Sequence, residues 1–388
     1  MKKKVLFIQM KGKSFGGVWQ VNKIVGESLI KKGYDVTILS LRENQDDIEL
    51  EHQKELKLHT INKKDIWENT HTGTEIIKDF KKFNLLKAIK KTFTRLKHEI
   101  SIIKDTKKMH KYINEYDPDY IITSHYQLID MIPKNYLNKT IHEQHQAFRE
   151  SINHKGTKKV LDKYKNKIKF LWLTQKTMKD AIKYGIKDSY YIYNAVRFKS
   201  KEIAKVVQNK KLITIAQFRP EKRIDLMVDI VAYLLKDKKF NDWTFEIYGS
   251  GVEEHKIKEH IGNNKQIKLM GLTNDPKKAL LTASINLNTS SYEGFALSIL
   301  EGNECGVPTI TLDFGESVEE EIIDNKTGII AKDIEDYKNK LKELMHNSEK
   351  LKELSLNAKE FSKNFQIEQI IEEWIKLFKE LDKQNGQK

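Results

Sequence analysis

Two carboxylates eight residues apart, Glu293 and Glu301, flank a glycine-containing turn in the stretch from 288 to 308. A short buried strand is predicted just before this turn, and a helix is predicted to begin near Phe295. Such a helix directs unpaired backbone N–H groups and the positive end of its dipole at the space above the sheet, which suits a phosphate. Either the carboxylates bind hydroxyl groups on both sides of a diphosphate, or Glu293 caps the helix and Glu301 is a solvated helix residue.

Two histidines lie near the end of another predicted strand, which starts at residue 140. His142 alternates with its neighbours as a strand residue does, whereas His145 falls where the strand ends. His145 is therefore the candidate for a ligand contact, and the alternative is a structural histidine. No third residue has the spacing of a zinc ligand, and the acidic motif DPD at 117–119 is interpreted as the lead-in to a strand, not as a metal site.

The composition is that of a soluble globular protein with an excess of positive charge. At 388 residues the chain is long enough for two domains. Its formal charge of +15 at pH 7 comes mostly from lysine and favours polyanionic or membrane-surface partners. The single cysteine, Cys305, excludes an intramolecular disulfide and fits a reducing cytosol. The apolar run that ends at Lys11 is too short for a signal peptide, and no segment approaches the roughly 18 apolar residues of a membrane span.

Strands alternate with helices in both halves of the chain. A strand at 5–9, a glycine loop at 12–17, a helix at 21–32 and a strand at 35–41 form the first strand-helix-strand unit of a parallel sheet. A second domain of the same kind is predicted to open with a strand at 212–216, after a polar connection. The predicted fold class is therefore α/β with two domains.

A long segment from 78 to 111 is strongly basic, with twelve Lys or Arg residues against three acids. Apolar residues recur every three or four positions between Phe83 and Ile103, which predicts an amphipathic helix with a basic rim. One interpretation is a helix at 83–103 that docks on an anionic membrane surface. The other is a surface helix that packs on its own domain and keeps its lysines in solvent.

The stretch around the two carboxylates resembles a known enzyme family. Glu293 and Glu301 with Gly294-Phe295 between them, the sequence NTSS before them and GVPT after them are similar to the retaining glycosyltransferases of family 4, which carry the EX7E motif. The resemblance implies the GT-B fold, with two Rossmann-like domains facing a central cleft and a C-terminal helix that crosses back to the N-terminal domain. The acceptor-side domain would comprise residues 1–198 and 366–388, and the donor-binding domain residues 199–365.

The resemblance also implies roles for individual residues. His145, Glu293 and Lys222 would be catalytic, Glu293 would contact the donor sugar, and Glu301 would hold the ribose hydroxyls. Gln217 stands where the family has an arginine, and Arg219 is the candidate to replace its charge. The implied donor-binding residues are Gly17, Gln217, Arg219, Lys222, Gly249, Leu272, Glu293, Gly294, Phe295, Ala296, Leu297 and Glu301.

The implied reaction is transfer of a sugar from a nucleoside diphosphate, such as UDP-linked glucose or N-acetylglucosamine, to a hydroxyl of a cell-envelope glycan. The acceptor would be teichoic-acid-like or lipid-linked, and the reaction would proceed with retention and without a metal or another cofactor. Such an enzyme is expected in the cytoplasm, either free or on the inner face of the plasma membrane. Two alternatives stay open: a nucleotide-sugar epimerase of the same fold, and a basic nucleic-acid-binding protein, for which charge is the only support.

Overall fold

The structure is a computed structural model that describes residues 2–12, 16–43, 54–62, 84–315 and 318–386. Three predicted features lie partly outside these residues: the middle of the glycine loop at 12–17, Phe83 of the basic helix, and Glu316 with Ser317 in the loop before an acidic helix.

The strands of the described residues are β1 (Lys4–Lys11), β2 (Asp35–Arg42), β3 (Lys57–Asn62), β4 (Tyr120–Thr123), β5 (Thr140–Gln144), β6 (Lys169–Trp172), β7 (Ser189–Tyr191), β8 (Lys211–Ile215), β9 (Thr244–Tyr248), β10 (Ile267–Gly271), β11 (Ile285–Asn288), β12 (Thr309–Leu312) and β13 (Gly328–Ala331).

The α-helices are α1 (Gly17–Lys31), α2 (Leu85–Tyr116), α3 (Tyr126–Ile129), α4 (Phe148–Asn153), α5 (Lys155–Tyr164), α6 (Gln175–Tyr184), α7 (Val206–Asn209), α8 (Ile224–Leu234), α9 (Glu254–Ile261), α10 (Pro276–Leu281), α11 (Leu297–Glu304), α12 (Val318–Glu321), α13 (Ile334–His346), α14 (Ser348–Phe361) and α15 (Ile367–Gly386). Short 3-10 turns occupy Lys134–Lys139, Pro220–Lys222, Lys238–Phe240 and Ser362–Phe365.

The strands form two sheets with the same central order. The first runs β3-β2-β1-β4-β5-β6-β7 and the second β10-β9-β8-β11-β12-β13, and the pairs around β1 and β8 are parallel. In each sheet the chain starts in the middle, winds outward and then reverses, which is the doubly wound Rossmann order. The central strands are nearly continuous apolar runs, as expected for strands covered by helices on both faces. The prediction of two parallel α/β domains is confirmed.

The described chain divides into two compact units, Met1–Glu143 with Lys155–Phe170 and Gln144–His154 with Leu171–Lys388. The predicted domain boundary at 198/199 stays a prediction.

Two helices differ from their predicted bounds. Helix α1 begins at Gly17, four residues earlier than predicted, because Gly16 is extended and Trp19 already belongs to the buried face of the helix. Helix α2 continues to Tyr116, well beyond Ile103. Its last three turns bury Met109 and Ile113 in the core of the first unit. The last helix, α15, buries Trp374.

A buried carboxylate joins the end of α11 to the chain segment before β8, to α14 and to the residues that follow α14. Glu304 is 1 % exposed and accepts hydrogen bonds from the Ser200 amide at 2.7 Å, Lys359 Nζ at 2.7 Å, Ser362 Oγ at 2.8 Å and Gln366 Nε2 at 2.8 Å. Burial alone would raise the pKa of the Glu304 carboxyl, but the hydrogen bonds and the charge of Lys359 lower it below its ordinary value. We call these five residues the Glu304 cluster.

We expect Glu304→Gln to lower the free energy of unfolding by about 3 kcal/mol at pH 7, because it leaves the Lys359 ammonium without its counter-charge. The folded pKa of Glu304 lies below its unfolded value, so its contribution is fully present above the unfolded pKa of about 4.3 and is lost as the pH falls through the folded pKa. Urea unfolding at a series of pH values should therefore show the difference between parent and variant shrinking in acid.

Glu343→Gln is the matched control, because Glu343 pairs with Lys350 at 2.9 Å on the surface. Exposed pairs contribute about 0–1 kcal/mol. Equal losses in the two variants would contradict the role given to the Glu304 cluster.

Candidate functional site

The turn between β11 and α11 is fastened to the loop that follows β8. Thr289 Oγ1 donates to the carbonyls of Lys222 at 2.9 Å and Arg223 at 3.0 Å, and the Ser291 amide donates to the carbonyl of Glu221 at 2.8 Å. Arg223, in the left-handed region at φ 47°, returns a hydrogen bond from its Nε to the Thr289 carbonyl at 2.8 Å. These bonds hold the two loops side by side and bring the predicted residues Lys222 and Glu293 together.

Glu293 is the partner of Lys222. Its Oε1 accepts from Lys222 Nζ at 2.5 Å and from Ser290 Oγ at 2.7 Å, and both side chains of the ion pair are largely buried. The N-cap of α11 is Ala296, and no side chain caps the helix there. The interpretation of Glu293 as a helix cap is therefore wrong.

Gly294 lies against the loop that carries His145. A Cβ atom at position 294 would lie 2.0 Å from the His145 carbonyl oxygen, so the approach of the two backbones requires glycine. His142 is buried within β5, and its Nδ1 lies 2.8 Å from Thr123 Oγ1. The structure thus gives His142 a structural environment and brings the backbone of His145 against Gly294. The catalytic role of His145 stays a prediction.

Glu301 is only 1 % exposed, so the interpretation of a solvated helix residue is wrong. Arg197 donates to it through two nitrogens, Nε to Oε1 and Nη2 to Oε2, the second at 2.8 Å. Burial alone would lower the pKa of Arg197, but the charge of Glu301 and the hydrogen bonds to it raise that pKa.

The amino end of α11 is already in contact with an acidic side chain. The Ala296 amide, one of the three predicted to meet a diphosphate, donates to Glu321 Oε2 at 2.7 Å. The neighbouring Glu320 accepts from the Gln175 and Lys176 amides at 2.9 and 2.8 Å and so caps α6. An anion at the Ala296 amide would have to share or displace the Glu321 carboxylate.

The side chains of Phe295 and Leu297 act as anchors. Phe295 is buried in a cluster with Val196 and Leu300, and Leu297 packs on that cluster. The Tyr193 ring stacks on Phe295 with 5.5 Å between ring centroids. The start of α11 is thereby fixed to the segment that ends at Arg197.

The other predicted donor residues are more dispersed. Gln217 is exposed, and Arg219 is 58 % exposed with only a 3.9 Å contact to Glu221. Gly249 holds the Gln217 loop, since a Cβ there would lie 1.9 Å from the Ala216 carbonyl. Leu272 is exposed after β10. Gly17 is the first residue of α1 in the first unit.

Two open cavities of 390 and 520 Å³ lie beside β12 and β13, lined by residues such as Asp313 and Lys332. Neither of these two includes a predicted site residue, so we do not place the site there. Within the described part of the chain, no group of three His, Cys, Asp or Glu side chains could hold a metal ion.

Residues 196–361 match the family model of glycosyl transferases group 1. The chain is 28 % identical over 243 residues to the poly(ribitol-phosphate) alpha-N-acetylglucosaminyltransferase of Staphylococcus aureus, which covers 60 % of this chain and 48 % of that protein. This chain therefore spans about half the length of that relative. An uncharacterized glycosyltransferase of Haemophilus influenzae is 24 % identical over 384 residues, 96 % of this chain and 99 % of its own.

A crystal structure of a TarM mutant of S. aureus with fondaparinux, alpha-GlcNAc-glycerol and UDP superposes with a TM-score of 0.75 at 16 % identity, over 97 % of this chain and 99 % of that one. The fold is GT-B. A structure of HepE from Anabaena with UDP and glucose agrees in fold, with a TM-score of 0.71 at 14 % identity over 97 % and 100 % of the two chains. The GT-B expectation drawn from the sequence is confirmed.

The sequence did not reveal the partners of the Glu293 and Glu301 carboxylates or of the Ala296 amide. Ser290 was noted only as a turn residue, and Arg197 and Glu321 were given no role. The acidic run at 319–321 was the one available signal, because three adjacent carboxylates at a helix start need N–H donors or cations nearby.

We expect Gly294→Ala to cost about 1–3 kcal/mol of stability, because the added methyl group must push the His145 backbone away. The His145 imidazole resonance, assigned by its loss in His145→Gln, should shift in the variant. Gly33→Ala is the control, since Gly33 has a positive φ of 93° but no atom within 4 Å of its Cβ position. An unshifted His145 resonance in Gly294→Ala would contradict the contact.

Proposed function

We propose that this chain is a retaining, metal-independent glycosyltransferase that moves a sugar from a UDP-linked donor to a hydroxyl of a cell-envelope glycan. The observation that carries the proposal is the joined set Lys222, Glu293, Gly294 and His145, with Glu301 buried behind it, inside or beside the segment that matches glycosyl transferases group 1. The names of the relatives favour a teichoic-acid-like acceptor and glucose or N-acetylglucosamine as the sugar.

In the proposed reaction the bond between the sugar C1 and the diphosphate oxygen breaks while the acceptor hydroxyl bonds to C1 on the same face. The hydroxyl proton passes to the departing phosphate oxygen. Lys222 would stabilise the charge that develops on the diphosphate, because a fixed ammonium in a water-poor site is worth more than one in solvent. Glu293 holds this ammonium in place before the donor arrives and would then accept a hydroxyl of the sugar. Arg219 would supply further charge where Gln217 has none.

We expect Glu301→Gln to weaken binding of both UDP and the UDP-sugar by about tenfold or more, because a charged acceptor for the ribose is lost. Glu293→Gln should spare UDP and weaken only the UDP-sugar, since its proposed ligand is the sugar. Lys222→Ala should weaken UDP more than uridine. Calorimetric titration of the three variants with the three ligands tests this division of roles.

The parent protein supplies the control for the function itself. Binding of neither UDP nor a UDP-sugar would contradict the proposal, and equal losses of UDP affinity in Glu293→Gln and Glu301→Gln would contradict the separate roles. Incubation with a UDP-sugar alone, followed by analysis of the sugar, distinguishes a transferase from an epimerase. A salt-dependent shift of DNA that UDP-sugars do not affect would favour the nucleic-acid alternative.

We further propose that the first half of α2 docks on an anionic lipid surface. Leu86, Ile89, Phe93, Leu96, Ile100 and Ile103 follow each other at alternating steps of three and four, and each is between 44 and 85 % exposed. We call these six residues the exposed seam. Lysines 87, 90, 91 and 97 flank it, and each lysine near an anionic membrane contributes ~1 kcal/mol. In the part of the chain that the structure describes, no helix is long and apolar enough to cross a membrane.

We expect the parent protein to sediment with phosphatidylglycerol vesicles at low salt, and the variant with Lys87, Lys90, Lys91 and Lys97 changed to Glu to stay in solution. UDP binding should be unchanged. The matched control reverses the same number of charges in the second unit, at Lys236, Lys239, Lys352 and Lys379, which are exposed.

Sedimentation of the α2 variant equal to that of the parent would contradict docking through α2. Dimerisation of the parent without lipid, abolished by Phe93→Ser, would show instead that the exposed seam binds a second copy of the chain.

A further inference from the structure

Arg197 and Glu301 form a buried, two-pronged ion pair between segments 104 residues apart. The Arg197 side chain is one-fifth exposed and that of Glu301 is 1 % exposed, so water competes little for either partner. A fork of this kind fixes both the position and the plane of the carboxylate, because two parallel N–H donors must meet two oxygens.

The pair leaves acceptor capacity on Glu301. An ionised carboxylate has about four lone-pair sites, and the guanidinium fork uses two of them. Two sites are then left, one on each oxygen, and their directions are set by the plane of the fork. Two neighbouring hydroxyl groups, such as those of a ribose, require this number of acceptors.

The backbone around Arg197 is held on the same helix that carries Glu301. Val196 packs with Phe295, which lies just before α11, and with Leu300, which lies in its middle. The Val196 amide donates to the Phe365 carbonyl at 2.9 Å. The guanidinium therefore approaches α11 from a fixed base, and its geometry does not depend on a mobile side chain reaching from the surface.

We propose that Arg197 is a specificity-determining positioning residue: it orients the Glu301 carboxylate so that the two remaining lone-pair sites accept the ribose hydroxyls of the donor. The proposal rests on the donor site described above and adds a residue to it. Arg197 itself needs no contact with the nucleotide. A lysine at this position would keep the charge but lose the fork, so the orientation of the carboxylate would be lost while the ion pair persists.

The test compares UDP with 2′-deoxy-UDP by calorimetric titration of the parent, Glu301→Gln, Arg197→Lys and Arg197→Gln. The parent should bind UDP about tenfold or more tightly than 2′-deoxy-UDP. In Glu301→Gln and Arg197→Lys this ratio should fall toward one, because UDP loses the contacts of both ribose hydroxyls, whereas 2′-deoxy-UDP can lose only that of its 3′-hydroxyl. The double variant that combines Arg197→Lys with Glu301→Gln should lose no more UDP affinity than the more affected single variant, since both substitutions act on the same contact.

Lys211→Gln is the matched control. Lys211 pairs with Glu246 at 2.9 Å with both side chains largely buried, but it lies at the amino end of β8, opposite the end from which the Lys222 loop departs. Breaking this pair should lower the melting temperature without altering the ratio of the two affinities. Arg197→Lys keeps a cation beside Glu301 and is therefore expected to fold even where Arg197→Gln does not.

The outcomes test the proposed donor site and the role of Arg197 separately. If the parent binds neither nucleotide, the proposed donor site is wrong and the role of Arg197 falls with it. If the parent discriminates and Arg197→Lys discriminates equally well, the donor site stands and Arg197 is a structural ion pair only. A uniform loss of both affinities in Arg197→Lys, as a merely structural defect would produce, also overturns the proposal.

Discussion

A buried carboxylate needs a partner, and α11 buries two of them one turn apart. Residues 299–304 of this helix are all buried, so the carboxylates of Glu301 and Glu304 need protein partners in the absence of a ligand. An unpaired charge in such a place costs several kcal/mol, which makes the cations Arg197 and Lys359 conditions for folding. These cations come from the segment before β8 and from α14, so one short helix binds both ends of the sequence that surrounds the second sheet.

The same logic governs the amino end of α11. The Ala296 amide has Glu321, and the Lys222 ammonium has Glu293, so each group suited to a phosphate is already matched by an internal carboxylate. These contacts keep the Ala296 N–H and the Lys222 ammonium in place in the absence of ligand, as preorganisation requires. They also mean that a diphosphate gains only the difference between its own contacts and those it displaces. A bare anion would therefore gain little, so in the proposed function the discrimination would come from the uridine, ribose and sugar of the donor, for which Glu293 and Glu301 are the proposed partners.

Patterns within a few residues of each other were readable from the sequence. The strands predicted at 35–41 and 212–216 differ from β2 and β8 by one residue at their ends, because glycine and polar residues mark these ends locally. The position of Glu293 and Glu301 around a turn was readable for the same reason. The partners of these carboxylates could not be predicted. Lys222 precedes Glu293 by 71 residues and Arg197 precedes Glu301 by 104, and no local pattern encodes a pairing across such a distance. The prediction of a solvated Glu301 failed because residues 299–304 of α11 are all buried, whereas charged helix residues usually lie on an exposed face.

Helix α2 packs on its own domain in its second half, whereas its first half leaves a row of apolar side chains exposed. From Ser101 onward it packs on the first unit, where Asp105 meets Arg42 in a buried ion pair. The exposed seam, from Leu86 to Ile103, stands in solvent, and six apolar side chains in one row exceed the scattered exposure that is normal for a surface. The spacing of three and four residues in the exposed seam would also suit a coiled coil with a second copy of the helix. However, Lys90, Lys97 and Lys104 follow one edge of the seam. In an antiparallel pair these lysines would face each other, and each copy adds a charge of +15, so self-association concentrates repulsion that an anionic lipid surface would instead neutralise.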